Sequence, residues 1–365
     1  MDEKLRDGIL FRLLAVGAGL ALSGLLLIFI DRNPIEVYRI LFASLFRDKY
    51  TFFDIFVKAT PLIFTGLAFT FTYKASLFNI GAQGQFYIGA VVAVSVSLSL
   101  AERLPGAAVL MIAFSAILAA GGAWGALIGF FKARYQANEF LTSMMSTYVA
   151  LNFMNYLLRT VLKETKGEYP QTNPLAKSVW LPKLVQGTRL HWGFVIAVLT
   201  AVLVWVVLYR TPFGFRIRAV GLNQRAAEMS GIDAKKLCVL TFFISGALAA
   251  AAGLTEVNGM QHMLVQGFNP TIGSEGLGIA ILANANPIAI IFTALLFGAL
   301  RVGGLVAAQV AGIPPSFIEL MQGFVMIFVI LSNYQCAAMD RAREIRKLSG
   351  VELSSKNTVI YCPAV

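Results

Sequence analysis

The chain has 365 residues, of which 58% are hydrophobic and only 13% charged, and its mean hydropathy is +0.73. Soluble domains carry about 25% charged residues, so this chain lacks the polar surface of a water-facing globule and reads as an integral membrane protein. The net charge of +11 follows from the collection of Lys and Arg in cytoplasmic loops. No basic stripe interleaved with aromatics points to nucleic acid.

A membrane-crossing helix takes about 20 apolar residues. In chain order the apolar runs predict ten spans, at 9–30, 52–73, 77–100, 104–131, 139–162, 192–209, 237–258, 265–284, 287–310 and 315–334. The first run is too long for a signal-peptide core and has no convincing cleavage site after it. An N-terminus on the cytoplasmic side (Lys4, Arg6, Arg12) puts Lys132, Arg134, the loop 210–236 and the tail with Arg341, Arg343, Arg346 and Lys347 on that side as well. The expected organisation is a polytopic domain over 1–335 and a cytoplasmic tail over 336–365. Two connections are long. Residues 31–51 form an amphipathic stretch, with Val37, Ile40, Leu41, Ser44 and Leu45 near one face, suited to the outer interface. Residues 163–191, rich in Pro, Lys and Gly, should form an external cap.

Two short strings match. Phe78-Asn79 leads into Ile80-Gly81-Ala82-Gln83-Gly84-Gln85, and Phe268-Asn269 leads, after Pro270-Thr271, into Ile272-Gly273-Ser274-Glu275-Gly276. They stand at the third span of each five-span half, and an odd number of spans makes the halves run in opposite directions. The predicted fold is therefore all-α, with about ten transmembrane helices in two inverted five-helix repeats. Glycine-interrupted segments at matching positions of inverted repeats point to a transport pathway; close helix packing is the plainer alternative. Asn79, Gln83, Gln85 and Glu275 are the pathway candidates from these segments.

In the fifth span Tyr148, Asn152 and Asn155 fall on one helix face. There they could read the hydroxyls and ring nitrogens of a polar solute, or serve interhelical hydrogen bonds. Glu256 and Asn258 end the seventh span, where outer-rim hydration accounts for them. Arg301 is mid-span and needs a partner or water. Asp54 and Lys58, four residues apart, can pair with each other.

His191 and His262 sit near the outer surface without ligand-spaced partners, and Cys238, Cys336 and Cys362 show no CxxC spacing, so neither a metal site nor a disulfide framework is expected. The terminal Cys362-Pro-Ala-Val fits a prenylation box only formally. There is no GxxxxGK[ST] loop and no catalytic set.

The cytoplasmic loop 210–236 carries a further signal. Asn223 can cap a two-turn helix that runs on through Gln224, and Gly231 is placed to end it.

TPFGFRIRAVGLNQRAAEMSGI followed by LTFFISGALAAAAGL resembles the coupling segment and next helix of bacterial ABC importer permeases of the branched-chain amino acid, simple sugar and nucleoside group. SLFNIGAQGQFYIGA, LLFGALRVGG and GIPPSFIELMQGFVMIFVIL resemble other segments of the same family, in order, over roughly 55–335. Length, outer loop and fifth span look most like the larger permease subunit of nucleoside importers. The chain departs from the family pattern at Gln83, where Glu is frequent, and at Glu275-Gly276-Leu277, where Asp-Gly-Ile is frequent.

The resemblance implies a non-catalytic subunit in the bacterial inner membrane. It would work with a second permease (identical or homologous), two cytoplasmic ATPase subunits and a solute-binding lipoprotein, with ATP and magnesium on the ATPase and no cofactor of its own. Asn223, Arg225, Ala226, Ala227, Glu228 and Gly231 would form the ATPase coupling element. A sugar permease and an ion-coupled secondary transporter remain alternatives; the latter calls for more mid-membrane acids than this chain has.

Overall fold

The computed structural model describes residues 3–165, 167–332 and 335. The predicted tail 336–365, with Cys336, Cys362, Arg341, Arg343, Arg346 and Lys347, lies outside them. The described residues are helical, with two isolated β-bridges. The helices are α1 (Glu3–Phe29), α2 (Pro34–Ser44), α3 (Lys49–Tyr73), α4 (Ala82–Leu100), α5 (Gly106–Tyr135), α6 (Glu139–Arg159), α7 (Gly193–Arg210), α8 (Pro212–Leu222), α9 (Gln224–Met229), α10 (Ala234–Glu256), α11 (Ile272–Leu282) and α12 (Pro287–Ala311). A further apolar helix, α13, covers Ser316–Ser332. Among the described residues, six helices are long and apolar enough to cross a membrane: α3, α4, α5, α7, α10 with its π-helical extension Val257–Gln261, and α12. The chain is thus an all-α, multi-pass membrane protein.

Contacts divide the chain into a unit of Met1–Pro34 with Glu319–Val365 and a larger unit of Ile35–Ile318. In the first, α1 and α13 pack so closely that a Cβ on Gly19 would stand 2.7 Å from Cα of Val325.

In the larger unit α10 is the central helix, packed on α3, α4 and α5. Its run Ser245-Gly246-Ala247-Leu248-Ala249-Ala250-Ala251-Ala252-Gly253 is buried throughout. Small residues let helix backbones approach where the membrane offers no hydrophobic drive for association. A Cβ on Gly89 of α4 or on Gly125 of α5 would overlap the backbone of α10 at Ala250 or Phe242. By contrast, α5 and α7 keep most of their apolar length at the periphery. The amphipathic stretch is helical as α2, and buries Val37, Leu41 and Ser44 with Leu41 against Gly303 of α12.

The run 265–284 is interrupted, as its glycines predict, and its helix is short. Only Ile272–Leu282 is α-helical, 11 residues, or about 16 Å at 1.5 Å per residue, against a hydrocarbon core of about 30 Å. Gly267 and Asn269 have φ of +81° and +37°, and Pro270 lacks an N–H, so the preceding stretch cannot continue as helix. Likewise α4 begins at Ala82 rather than at 77, after an irregular Leu77–Gly81. Both matching strings therefore run from a helix break into the first turn of the helix that follows.

Candidate functional site

The two breaks meet. The Gly273 N–H at the start of α11 donates to Gln83 Oε1 in the first turn of α4, while Gln83 Nε2 donates to the Asn269 carbonyl at 2.8 Å. A Cβ at Gly273 would overlap the Gln83 backbone, so glycine is what allows the approach. The rings of Phe86 and Phe268 stack beside this bridge, centroids 5.3 Å apart. Backbone groups left without helical partners in a membrane must be satisfied within the protein or by cavity water, and Gln83 does this for one N–H and one C=O at once.

A neutral cluster holds the first break. Asn79 Nδ2 donates to Gln85 Oε1 and to Ser245 Oγ of α10, both at 2.8 Å, and the Ser245 hydroxyl donates to the Ala68 carbonyl of α3 at 2.6 Å. Asn79, Gln85 and Ser245 are all essentially inaccessible.

Charges hold the second break. Asn269 Nδ2 donates to Glu256 Oε1 at 2.7 Å, and Thr271 Oγ1 to Glu275 Oε1 at 2.7 Å. The other oxygen of Glu275 lies 3.5 Å from the Arg301 guanidinium. The mid-span arginine therefore has a carboxylate partner, supplied by α11 to α12. Asp54–Lys58 is not among the ion pairs of the described residues; Lys58 Nζ lies 3.2 Å from the Met260 sulfur instead.

Three further residues depart from expectation. Glu256 and Asn258 are not hydrated at a rim: they are 2% and 0% exposed. The loop 163–191 folds over them. Asn258 Nδ2 donates to Ser97 Oγ and to the Val179 carbonyl, each at 2.9 Å, and the Leu181 N–H donates to the Asn258 carbonyl. Trp180 stacks on His262 at 3.7 Å. His191 is likewise not at the surface; it is 2% exposed and accepts from the Gly193 N–H through Nδ1 at 3.1 Å. Burial pushes its pKa down to about 4, which keeps it neutral near pH 7. No group of metal-ligating side chains occurs among the described residues.

Tyr148, Asn152 and Asn155 share a face of α6 as expected, away from the two breaks. The helix buries Ser143, Ala150, Met154 and Leu158, a stripe roughly 130° around the axis from the three polar residues at 100° per residue. Tyr148 and Asn152 are exposed; Asn152 bonds only within its own helix, to the Tyr148 carbonyl, and Asn155 Oδ1 is buried without a partner.

At the end of the bundle where Lys132 pairs with Glu139 (2.8 Å), a cavity of about 290 Å³ is lined by Lys132, Gln136, Gly221 and Lys235, so 132–139 and 210–236 share a face. On that face Thr211 caps α8 through the Gly214 N–H, and Asn223 caps α9 through the Ala226 N–H. Gly231 ends the segment at φ +83°. Only Ala227 of α9 is buried; Arg225, Ala226 and Glu228 are exposed, with Gln224 donating to Glu228 at 2.9 Å. Leu222 and Met229, 89% and 91% exposed, flank the helix as an apolar pair that the sequence reading did not single out. Their signal was two large apolar residues bounding a capped polar helix. Ser245 and the Glu275–Arg301 pair were also missed, because they join helices through contacts that no local spacing encodes.

A multi-pass helical protein with two touching helix breaks and a capped, exposed helix between spans has the parts of a membrane permease. The family model for the branched-chain amino acid transport system permease component matches residues 51–330, and the chain belongs to that family. It is 32% identical to a glucose ABC transporter permease protein of Haloferax volcanii, over 88% of this chain and 87% of the relative. It is 31% identical to a guanosine ABC transporter permease protein of Bacillus subtilis (89% and 93%) and 29% identical to a nucleoside ABC transporter permease protein of Lactococcus lactis (95% and 97%). The chain is a permease subunit of an ABC importer, a transport component whose ATP hydrolysis resides on a separate subunit.

Proposed function

We propose that the solute is a nucleoside, carried between this chain and a second permease subunit. The observation that carries the reading is the polar face of α6: a phenol and amides (Tyr148 and Asn152 exposed, Asn155 half-buried) with no partner on another helix among the described residues. Such groups are costly against lipid and belong at a protein or aqueous surface. A phenol ring offers a stacking face for a base, and an amide offers a donor and an acceptor for ring nitrogens and hydroxyls. The near-full-length similarity to guanosine and nucleoside permeases supports that cargo. The glucose permease relative supports a sugar as the second reading.

In this reading the chain crosses the inner membrane about ten times in two inverted halves, with α1, α6, α11 and α13 completing the six long helices and both termini cytoplasmic. The Gln83 bridge joins the two halves where they must move relative to each other. A cytoplasmic ATPase grips α9 through Arg225, Glu228 and the Leu222–Met229 pair, with Asn223, Ala226, Ala227 and Gly231 fixing the helix. A binding lipoprotein delivers solute to the face covered by loop 163–191.

Uptake of radiolabelled guanosine and glucose by cells expressing this chain with its partner ATPase and binding protein tests the proposal. ATP-dependent guanosine uptake, competed by other nucleosides and insensitive to a protonophore while ATP is maintained, is expected. Glucose uptake alone would move the assignment to a sugar. Loss of uptake to the protonophore alone would contradict the ATP-driven mechanism.

A further inference from the structure

We infer that the groove between α5 and α10, at the end of the bundle that carries α8 and α9, holds an anionic phospholipid. The groove has a volume of about 430 Å³. Phe130 of α5 and Leu240 of α10 stand at its sides, both exposed, and Ala126 leaves room between them. Phe243 closes one end, its ring so near Gly122 that a Cβ there would come within 2.7 Å. The cleft is apolar and opens outward from two helices long enough to cross the membrane, which fits an acyl chain and no polar solute.

Its rim is cationic. Arg134 lies in the last turn of α5 and Lys235 and Lys236 in the first turn of α10, and all three line the same groove. The two lysines stand at the positive end of a helix, where the macrodipole disfavours cations. The Asp233 cap answers one of them, 3.2 Å from Lys236 Nζ; Arg134 and Lys235 take part in no ion pair among the described residues. An anion at this rim would supply the missing charge.

The rim is also at the right depth. Phe130, Phe131 and Tyr135 cluster at the same end of α5, and aromatic residues gather at the headgroup level of a bilayer. Basic pockets between membrane helices bind anionic headgroups. An apolar cleft running down from a cationic rim at that depth matches one phospholipid: its phosphate beside Arg134 and Lys235, and a chain against Phe130 and Phe243.

Native mass spectrometry of the full-length chain in mild detergent, titrated with phosphatidylglycerol and with phosphatidylcholine of the same acyl chains, tests this. Phosphatidylglycerol should be retained preferentially. Arg134→Gln with Lys235→Gln should weaken it about 25-fold, or about fivefold for each charge removed. Lys177→Gln with Lys183→Gln, the same charge change on the outer loop, should leave it unaltered. Ala126→Trp fills the apolar part without changing charge and should displace the lipid; it decides the matter if the charge variant does not fold. Equal retention of the two lipids, unchanged phosphatidylglycerol binding in the groove variants, or a shift in subunit association in place of lipid loss would overturn the assignment.

Discussion

The break before α4 and the break before α11 open on the same dipeptide, Phe-Asn, and are closed by different chemistry. At the first, Asn79, Gln85 and Ser245 form a neutral cluster spread over α3, α4 and α10 and sealed from solvent. At the second, Asn269 and Thr271 bond to carboxylates, and one of these, Glu275, faces Arg301 of α12. Removing a member of a neutral cluster costs only hydrogen bonds, whereas removing one from a charged cluster also leaves an uncompensated charge. The first break should therefore tolerate substitution and the second should not, with Gln83 linking the two.

The sharpest way to break this comparison is Arg301→Leu, which strands Glu275. Loss of one partner of a buried pair costs about 3–5 kcal/mol, so the variant should unfold at far lower temperature in detergent. Arg301→Leu combined with Glu275→Leu should recover most of the loss; a double variant no better than the single would mean the pair does not hold this break.

Next in size is Gln83→Leu, which orphans the Gly273 N–H and the Asn269 carbonyl together, a cost of about 2 kcal/mol or more at about 1–3 kcal/mol each. Uptake should fall at least tenfold at normal expression. Gln83→Glu keeps the acceptor for Gly273 and should retain more transport than Leu; equal activity in the two variants would remove the bridge from the mechanism.

At the neutral break, Ser245→Ala should cost only about 1.5 kcal/mol, because Asn79 keeps Gln85. A loss matching that of Arg301→Leu would erase the distinction between the breaks.

The smallest effect probes the loop that roofs the charged break. His191 has its pKa depressed to about 4 by burial, so the folded state disfavours the protonated ring. Its contribution to stability is fully present above the unfolded value of about 6.5. It is lost as pH falls from there toward 4, amounting to about 1 kcal/mol between pH 7 and 5.5. His191→Asn should flatten that part of the stability–pH profile, as read by thermal unfolding at each pH. An unchanged slope would assign the dependence to other groups.

The long helices were legible because apolar runs bounded by Gly, Pro and charge leave few alternatives, and the caps at Asn223 and Gly231 because each depends on a single residue type at one position. The matching strings were legible as breaks, and their contact follows the glycine pattern in retrospect. The length of α11 was not, since hydropathy over 265–284 does not register that Gly267, Asn269 and Pro270 stop a helix there. Glu256 and Asn258 were misplaced because the end of an apolar run normally meets water; burying them takes a distant loop, 163–191, whose Val179 lies 79 residues before Asn258 in the chain. The Glu275–Arg301 pair depends on how the α11–α12 hairpin closes, a tertiary fact invisible to either span alone. The α6 face was legible from helical spacing, and Tyr148 and Asn152 stand exposed on it.

The most direct measurement is guanosine accumulation in proteoliposomes holding the complete transporter, with ATP supplied on the ATPase side and the binding protein on the other. Concentrative uptake that requires ATP, ignores an imposed proton gradient and collapses in Gln83→Leu is the predicted result. Accumulation driven by the proton gradient without ATP, or of glucose while guanosine is excluded, would contradict it.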